Sequence, residues 1–173
     1  QDFAAMQTMT KLHELNLRGA SFDESLLGML AVLPSLFTLI LSQTAITEVG
    51  LACLAAFPAL FEVHLTDTAL SDAMLPTLAR MPDLYRLFLS RTPVSDAGLV
   101  ALSDCALEVL EIVGTNVHGP GFAALQHMTS LEQLYSSHLV PHSLPHLRDL
   151  TQLLALGCNA STLAADDLAA LTA

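Results

Sequence analysis

The sequence predicts an α/β fold made of stacked copies of one strand-plus-helix unit. Three observations carry that expectation. Leucines recur with a period of about 24 residues, each period opens on an alternating apolar stretch of strand length, and apolar residues three apart follow it. One short strand with one short helix cannot bury its apolar face alone, so neighbouring units must stack.

The opening block, L-x-x-L-x-L, begins at Leu12, Leu36, Leu60, Leu84, Leu107 and Leu131, and a weaker one at Leu150, with steps of 24, 24, 24, 23, 24 and 19. Its alternation puts the apolar residues on one side of a strand. Four blocks continue to a threonine, Thr44, Thr68, Thr92 or Thr115, and two residues later to Ile46, Leu70, Val94 or Val117. A hydroxyl and an acid come next, as Thr47-Glu48, Ser71-Asp72 and Ser95-Asp96. The hydroxyl reads as a helix N-cap, accepting from free backbone amides, and the acid sits well at the positive end of the helix dipole. The buried stripe of two helical turns follows: Leu51, Leu54 and Phe57; Leu75, Leu78 and Met81; Leu99, Leu102 and Cys105; Phe122, Leu125 and Met128. Pro34, Pro58 and Pro82 help to stop helices ahead of the next strand. The sixth unit is irregular, five residues short by this reading. Leu144 and Leu147 take the last two stripe positions before Leu150, and the start of the helix is lost.

Composition agrees with a one-domain chain that buries an aliphatic core. Of 173 residues 53% are hydrophobic, 13% are charged, 37 are leucine and none is tryptophan. Seventeen acids against six bases give a net charge of -11. That balance opposes direct nucleic-acid binding, which needs a basic face, and attachment to anionic membranes. The uncharged run from Ser25 to Thr47 has transmembrane length, but polar residues interrupt it and the period accounts for its apolar ones. Gln1-Asp2-Phe3 has neither the basic start nor the apolar stretch of a signal peptide. Cys53, Cys105 and Cys158 show no metal or redox spacing and read as reduced, buried thiols. The expected location is intracellular, in the cytoplasm.

The full pattern, L-x-x-L-x-L-x-x-T-x-V-S-D-x-G-L-x-x-L, is best matched from Leu84 to Leu102. It resembles the leucine-rich repeat family, in the 24-residue form similar to repeats of F-box-type ubiquitin-ligase substrate receptors and of bacterial and protist proteins. Those receptors usually carry Cys or Asn where this chain has Thr. The resemblance implies a right-handed solenoid, with a parallel sheet lining its concave side and short helices on the convex side. About function it implies little beyond binding.

Residues 1–173 are expected to form one solenoid segment of a larger protein. Phe3 to Thr10 parallels Phe122 to Thr129 as the helical half of a preceding repeat, and Asp167 to Leu171 is a helical half without its next strand. Neither end shows a polar cap.

Residues between the strand leucines form three columns on the concave face. The first is His13, Phe37, Phe61, Tyr85, Glu108, Glu132 and Thr151; the second Glu14, Thr38, Glu62, Arg86, Val109, Gln133 and Gln152; the middle one Asn16, Ile40, His64, Phe88, Glu111, Tyr135 and Leu154. Phe37, Ile40, Phe61, Tyr85 and Phe88, flanked by His64 and Arg86, make a candidate partner-binding patch. Glu108, Glu111 and Glu132 extend it as an acidic stretch, with Tyr135 beside them. The partner expected is a protein or peptide with apolar and basic residues, or the rest of this chain or of a larger complex.

Other motifs have plainer readings. His138, His142 and His146 are four apart, but Pro141 and Pro145 oppose a continuous helix, so they read as a polar convex loop. Helix capping accounts for Glu48, Asp72 and Asp96 without calcium. Asn159-Ala160-Ser161 fits a glycosylation sequon that the expected location leaves unused. No metal or cofactor is expected, and no catalysis. Nothing pairs a nucleophile with a base, and no glycine-rich loop offers to hold phosphate. The function expected is a non-catalytic interaction module in a multi-component assembly; the alternatives are a ubiquitin-ligase substrate-recognition domain or a structural subunit.

Overall fold

A computed structural model describes residues 8–158 of the chain. Seven parallel strands form one sheet in chain order: β1 (Glu14–Asn16), β2 (Thr38–Ile40), β3 (Glu62–His64), β4 (Arg86–Phe88), β5 (Val109–Ile112), β6 (Gln133–Ser136) and β7 (Ala155–Cys158). The first four strands pair with one constant offset, so Leu15, Leu39, Val63 and Leu87 stand in one row. That row continues through Leu110, Leu134 and Leu156.

Helices cover one face of the sheet. They are α1 (Ser25–Leu30), α2 (Glu48–Leu54), α3 (Leu75–Leu78) and α4 (Asp96–Ala101), followed by 3₁₀ helices at Gly119–His127 and Pro141–Leu147. The core lies between the two layers. Leu39, Leu51, Leu54, Val63, Leu75, Leu87, Leu99 and Leu110 are all fully buried there. Among the described residues the other face of the sheet carries no helix. The run from Ser25 to Thr47 is divided between α1 and β2, and among the described residues no helix is long and apolar enough to cross a membrane.

The repeated turn chemistry of each unit is visible in hydrogen bonds. Thr44, Thr68, Thr92 and Thr115 are buried, and each hydroxyl donates to the carbonyl three residues back, at 2.6 to 2.8 Å. The loop after each strand thereby satisfies a buried carbonyl that the ladder leaves over. One position earlier, the chain passes through the left-handed region at Gly19, Gln43, Asp67, Arg91 and Gly114, with φ between 56° and 71°. Glycine is most comfortable there, with Asp and Asn next. The three exceptions are tied together by their side chains. Gln43 donates to Asp67 at 3.2 Å, and Arg91 donates through Nε and Nη2 to both Asp67 oxygens at 2.6 Å.

These bonds lower the Asp67 pKa from 3.8 to about 2, chiefly through Arg91, with a smaller contribution from Gln43 and partial desolvation opposing. A lowered folded-state pKa stabilises the ionised form, so the contribution is present above the unfolded value and lost as pH falls through the folded one. In urea titrations the wild type is therefore expected to exceed Asp67→Asn in stability above pH 4, with the gap closing as pH falls towards 2. The gap also shrinks with added salt, because the pair is solvent-accessible. A gap that is constant across that range would show that the carboxylate has no such role.

Helix starts follow the expected hydroxyls at two sites of three. Thr47 accepts from Val49 N–H at 3.2 Å and Ser95 from Ala97 N–H at 3.3 Å, whereas Ser71 makes no side-chain cap bond. Pro76 explains the exception. It has no N–H to close an α turn onto Asp72, so the chain opens with a 3₁₀ turn, Asp72–Met74, in which Leu75 N–H reaches the Asp72 carbonyl. The acids do more than sit near a helix dipole. Asp72 accepts from the Ser95 backbone N–H at 2.7 Å and from its hydroxyl at 2.5 Å, and Asp96 accepts from His118 N–H at 2.7 Å. Glu24 holds Thr47 in the same way. Each such carboxylate thus stitches one unit to the helix start of the next.

The seventh block has a different register from the one expected. Gln133 pairs with Ala155 and Leu134 with Leu156, so the block starts at Leu153, not Leu150, and the sixth unit is only two residues shorter than the first three. Leu144, Leu147 and Leu150 form the buried stripe of that unit. Its start is therefore not lost, and the two missing residues come from the loop after β6. Leucines every third residue from Leu144 to Leu156 make both registers look alike in the sequence. In the columns of the open face, Thr151, Gln152 and Leu154 are replaced by Leu154, Ala155 and Gly157. The segment around the histidines is a 3₁₀ helix rather than a loop, with Pro141 in its first turn, where no N–H is needed. The expected helical halves at Phe3 to Gln7 and Asp167 to Leu171 lie outside the described residues, as does Asn159-Ala160-Ser161.

The helix-free face of the sheet

The pleat positions the second and middle columns, whereas Phe37, Phe61, Tyr85, Glu108 and Glu132 stand one residue ahead of β2 to β6. Leucines at alternate positions point into the core, so the residues between them point to the helix-free face. Neighbouring strands then bring equivalent positions about 4.8 Å apart, close enough for side chains to touch along a column.

In the first column the rings of His13 and Phe37 stack at 4.8 Å, and those of Phe37 and Phe61 at 5.8 Å. In the middle column His64 and Phe88 stack at 4.0 Å with planes 4° apart. Phe37, Ile40, Phe61, His64, Tyr85, Arg86 and Phe88 are all half-buried. The rings of His13, Phe37 and Phe61 thus partly cover one another in one stack, and those of His64 and Phe88 in a second. Ring pairs of this kind add about 0.5–1.5 kcal/mol each beyond area burial.

Glu62 organises the polar part of the patch. One carboxylate oxygen lies 2.8 Å from His64 Nε2, and the other lies 2.8 Å from Arg86 Nη1. The Glu62 side chain is 14% exposed, against 39% for Arg86. Glu62 is absent from the candidate set drawn from the sequence. A signal for it exists there, since Glu62 and Arg86 occupy equivalent positions of successive units and stand opposite each other on adjacent strands. The single cation on this part of the face is thereby neutralised.

Beyond β4 the character of the face changes. Glu108 is exposed, and Glu111 and Glu132 are half-buried. Glu111 accepts from the Ser90 hydroxyl. Among the described residues no cation lies within ion-pair distance of Glu108, Glu111 or Glu132. Tyr135 donates to Gln133 at 3.2 Å, and its ring lies over Gly157, where an added Cβ would come within 2.3 Å of Cδ1.

The histidines of the sixth unit do not converge. In a 3₁₀ helix residues four apart are rotated by about a third of a turn, which separates His142 from His146. His138 meets His118 edge-on at 4.7 Å, and His142 packs against Gly119. Among the described residues, no group of three or more His, Cys, Asp or Glu side chains is placed to hold a metal ion. The three cysteines are free and half-buried rather than fully buried; burial, with Asp104 adding to it, raises the Cys105 pKa. The β7 register puts Cys158 at the third leucine position.

No protein-family model matches the sequence, and no curated protein matches it. Among solved structures, the chain is similar to that of an internalin (inlF) from Listeria monocytogenes str. 4b F2365. The TM-score is 0.66 at 20% identity, over 99% of this chain and 49% of that one. The chain therefore spans about half the length of that protein, and at this identity the likeness concerns the fold. With seven parallel strands in chain order and a short α- or 3₁₀ helix in each of the six connections between them, the fold is an α/β leucine-rich-repeat solenoid.

Proposed function

We propose that this chain is a non-catalytic interaction module that binds a protein or peptide on the helix-free, concave face of its sheet. The observation that carries this reading is the pair of ring stacks, His13–Phe37–Phe61 and His64–Phe88, held half-open on the sheet. Ordered aromatic rings on an open face offer a partner large contact area at little cost in side-chain entropy. Their scaffold is rigid, because every strand between the first and last is paired on both sides.

The test is a photo-crosslinking scan. A benzoylphenylalanine is placed at position 61 or 88 on the open face, or at position 52 or 100 on the helix side. After irradiation in cell extract, crosslinked species are expected from 61 and 88 and not from 52 and 100. Crosslinks confined to the helix side would overturn the reading.

A further inference from the structure

The size and charge of the open face say what kind of partner it fits, given that the face is the binding surface at all. Seven strands span about 29 Å across the sheet, and the three columns, from the first to the middle one, span about 10 Å along the strands. That is a strip about three times as long as it is wide. It matches one extended segment of about nine residues laid across the strands, at about 3.3 Å per residue.

Charge then sets the chemistry of that segment along its length. The part over β2 to β4 carries the rings of Phe37, Phe61 and Phe88, and its one cation, Arg86, is already paired with Glu62. The half over β5 and β6 carries Glu108, Glu111 and Glu132, which have no cation at ion-pair distance among the described residues. Glu108 stands two strands from Phe61 and Glu132 three, so they lie about 10 and 14 Å from it. In an extended segment, residues two and four positions from an apolar anchor stand about 7 and 13 Å away on the same side. A lysine or arginine stem covers the remaining distance to Glu108.

We infer that the partner is an extended peptide segment with an apolar anchor and basic residues two and four positions from it. It lies across the strands in one sense only, with the anchor over β3 and β4 and the basic end over β5 and β6. Its apolar end contacts Phe61 and Phe88, and its charges meet Glu108 and Glu132.

Fluorescein-labelled peptides containing Phe-Ser-Arg-Ser-Arg, its reverse, Phe-Ser-Glu-Ser-Glu and Ser-Ser-Arg-Ser-Arg provide the test, read by anisotropy with the whole chain. At least one of the two peptides with both Phe and Arg should bind tenfold or more tightly than either of the last two. It should lose tenfold or more on Glu108→Gln with Glu132→Gln, and separately on Phe61→Ala with Phe88→Ala. Affinity should also fall steeply with added salt. If the glutamine pair changes nothing, or the acidic peptide binds equally well, the inference is wrong. If no peptide binds while crosslinks still arise from positions 61 and 88, the inference also fails, and the open-face reading stands without it.

Discussion

Leu87→Ala is expected to lower the free energy of unfolding by about 2–5 kcal/mol, the range for emptying a fully packed leucine site. Leu87 has no exposed surface and stands on β4 in register with Val63 on one side and Leu110 on the other. The cavity therefore loosens two unit-to-unit contacts at once. Because a solenoid is held by nearest-neighbour contacts, the loss falls on the coupling between the two halves. Urea unfolding should show a lower midpoint and, if the halves separate, a shallower transition. Leu154→Ala is the control. That side chain is 79% exposed and should change stability by less than about 0.5 kcal/mol. Equal effects at the two positions would mean that Leu87 is not the fully packed core residue described above.

Gly121→Ala is expected to destabilise by about 1–3 kcal/mol, although the added group is a single methyl. An added Cβ would stand 2.3 Å from Asp96 Oδ1 and 3.0 Å from Asp96 Cα, so the displaced group includes backbone. Moving Asp96 also breaks its 2.7 Å bond from His118 N–H, the stitch between the fourth and fifth units. The two losses share one carboxylate and should not add. In an Asp96→Ala background the glycine substitution should cost clearly less than it does alone. Strict additivity in the double-mutant cycle would show that the close contact is relieved in some other way.

The stitch also shows where sequence and structure part. The strands at Leu36, Leu60 and Leu84 are legible because their leucines alternate at a fixed interval and the core tolerates little else. β7 lies three residues from its expected place because leucines recur every third position through that stretch, and only pairing with β6 selects Leu153. Ser71 looks like Thr47 and Ser95, but Pro76 lies five residues on and changes how that helix starts. On the open face the columns are readable from the repeat, because the same offsets from each leucine recur in every unit. That Glu62 bridges His64 and Arg86 depends on side-chain reach, which spacing does not encode. Nor does spacing distinguish rings that stand free from rings that stack on one another.

That the partner sits on this face is tested most directly by one affinity comparison. The wild-type chain and the variant carrying Phe61→Glu with Phe88→Glu are immobilised and exposed to the same cell extract, with circular dichroism confirming that both are folded. Both side chains lie outside the leucine core, so the fold should survive the change. The species crosslinked from positions 61 and 88 is expected to be retained by the wild type and lost with the variant. Equal retention by the two would contradict the open-face reading and place the contact on the helix side or at the ends of the solenoid.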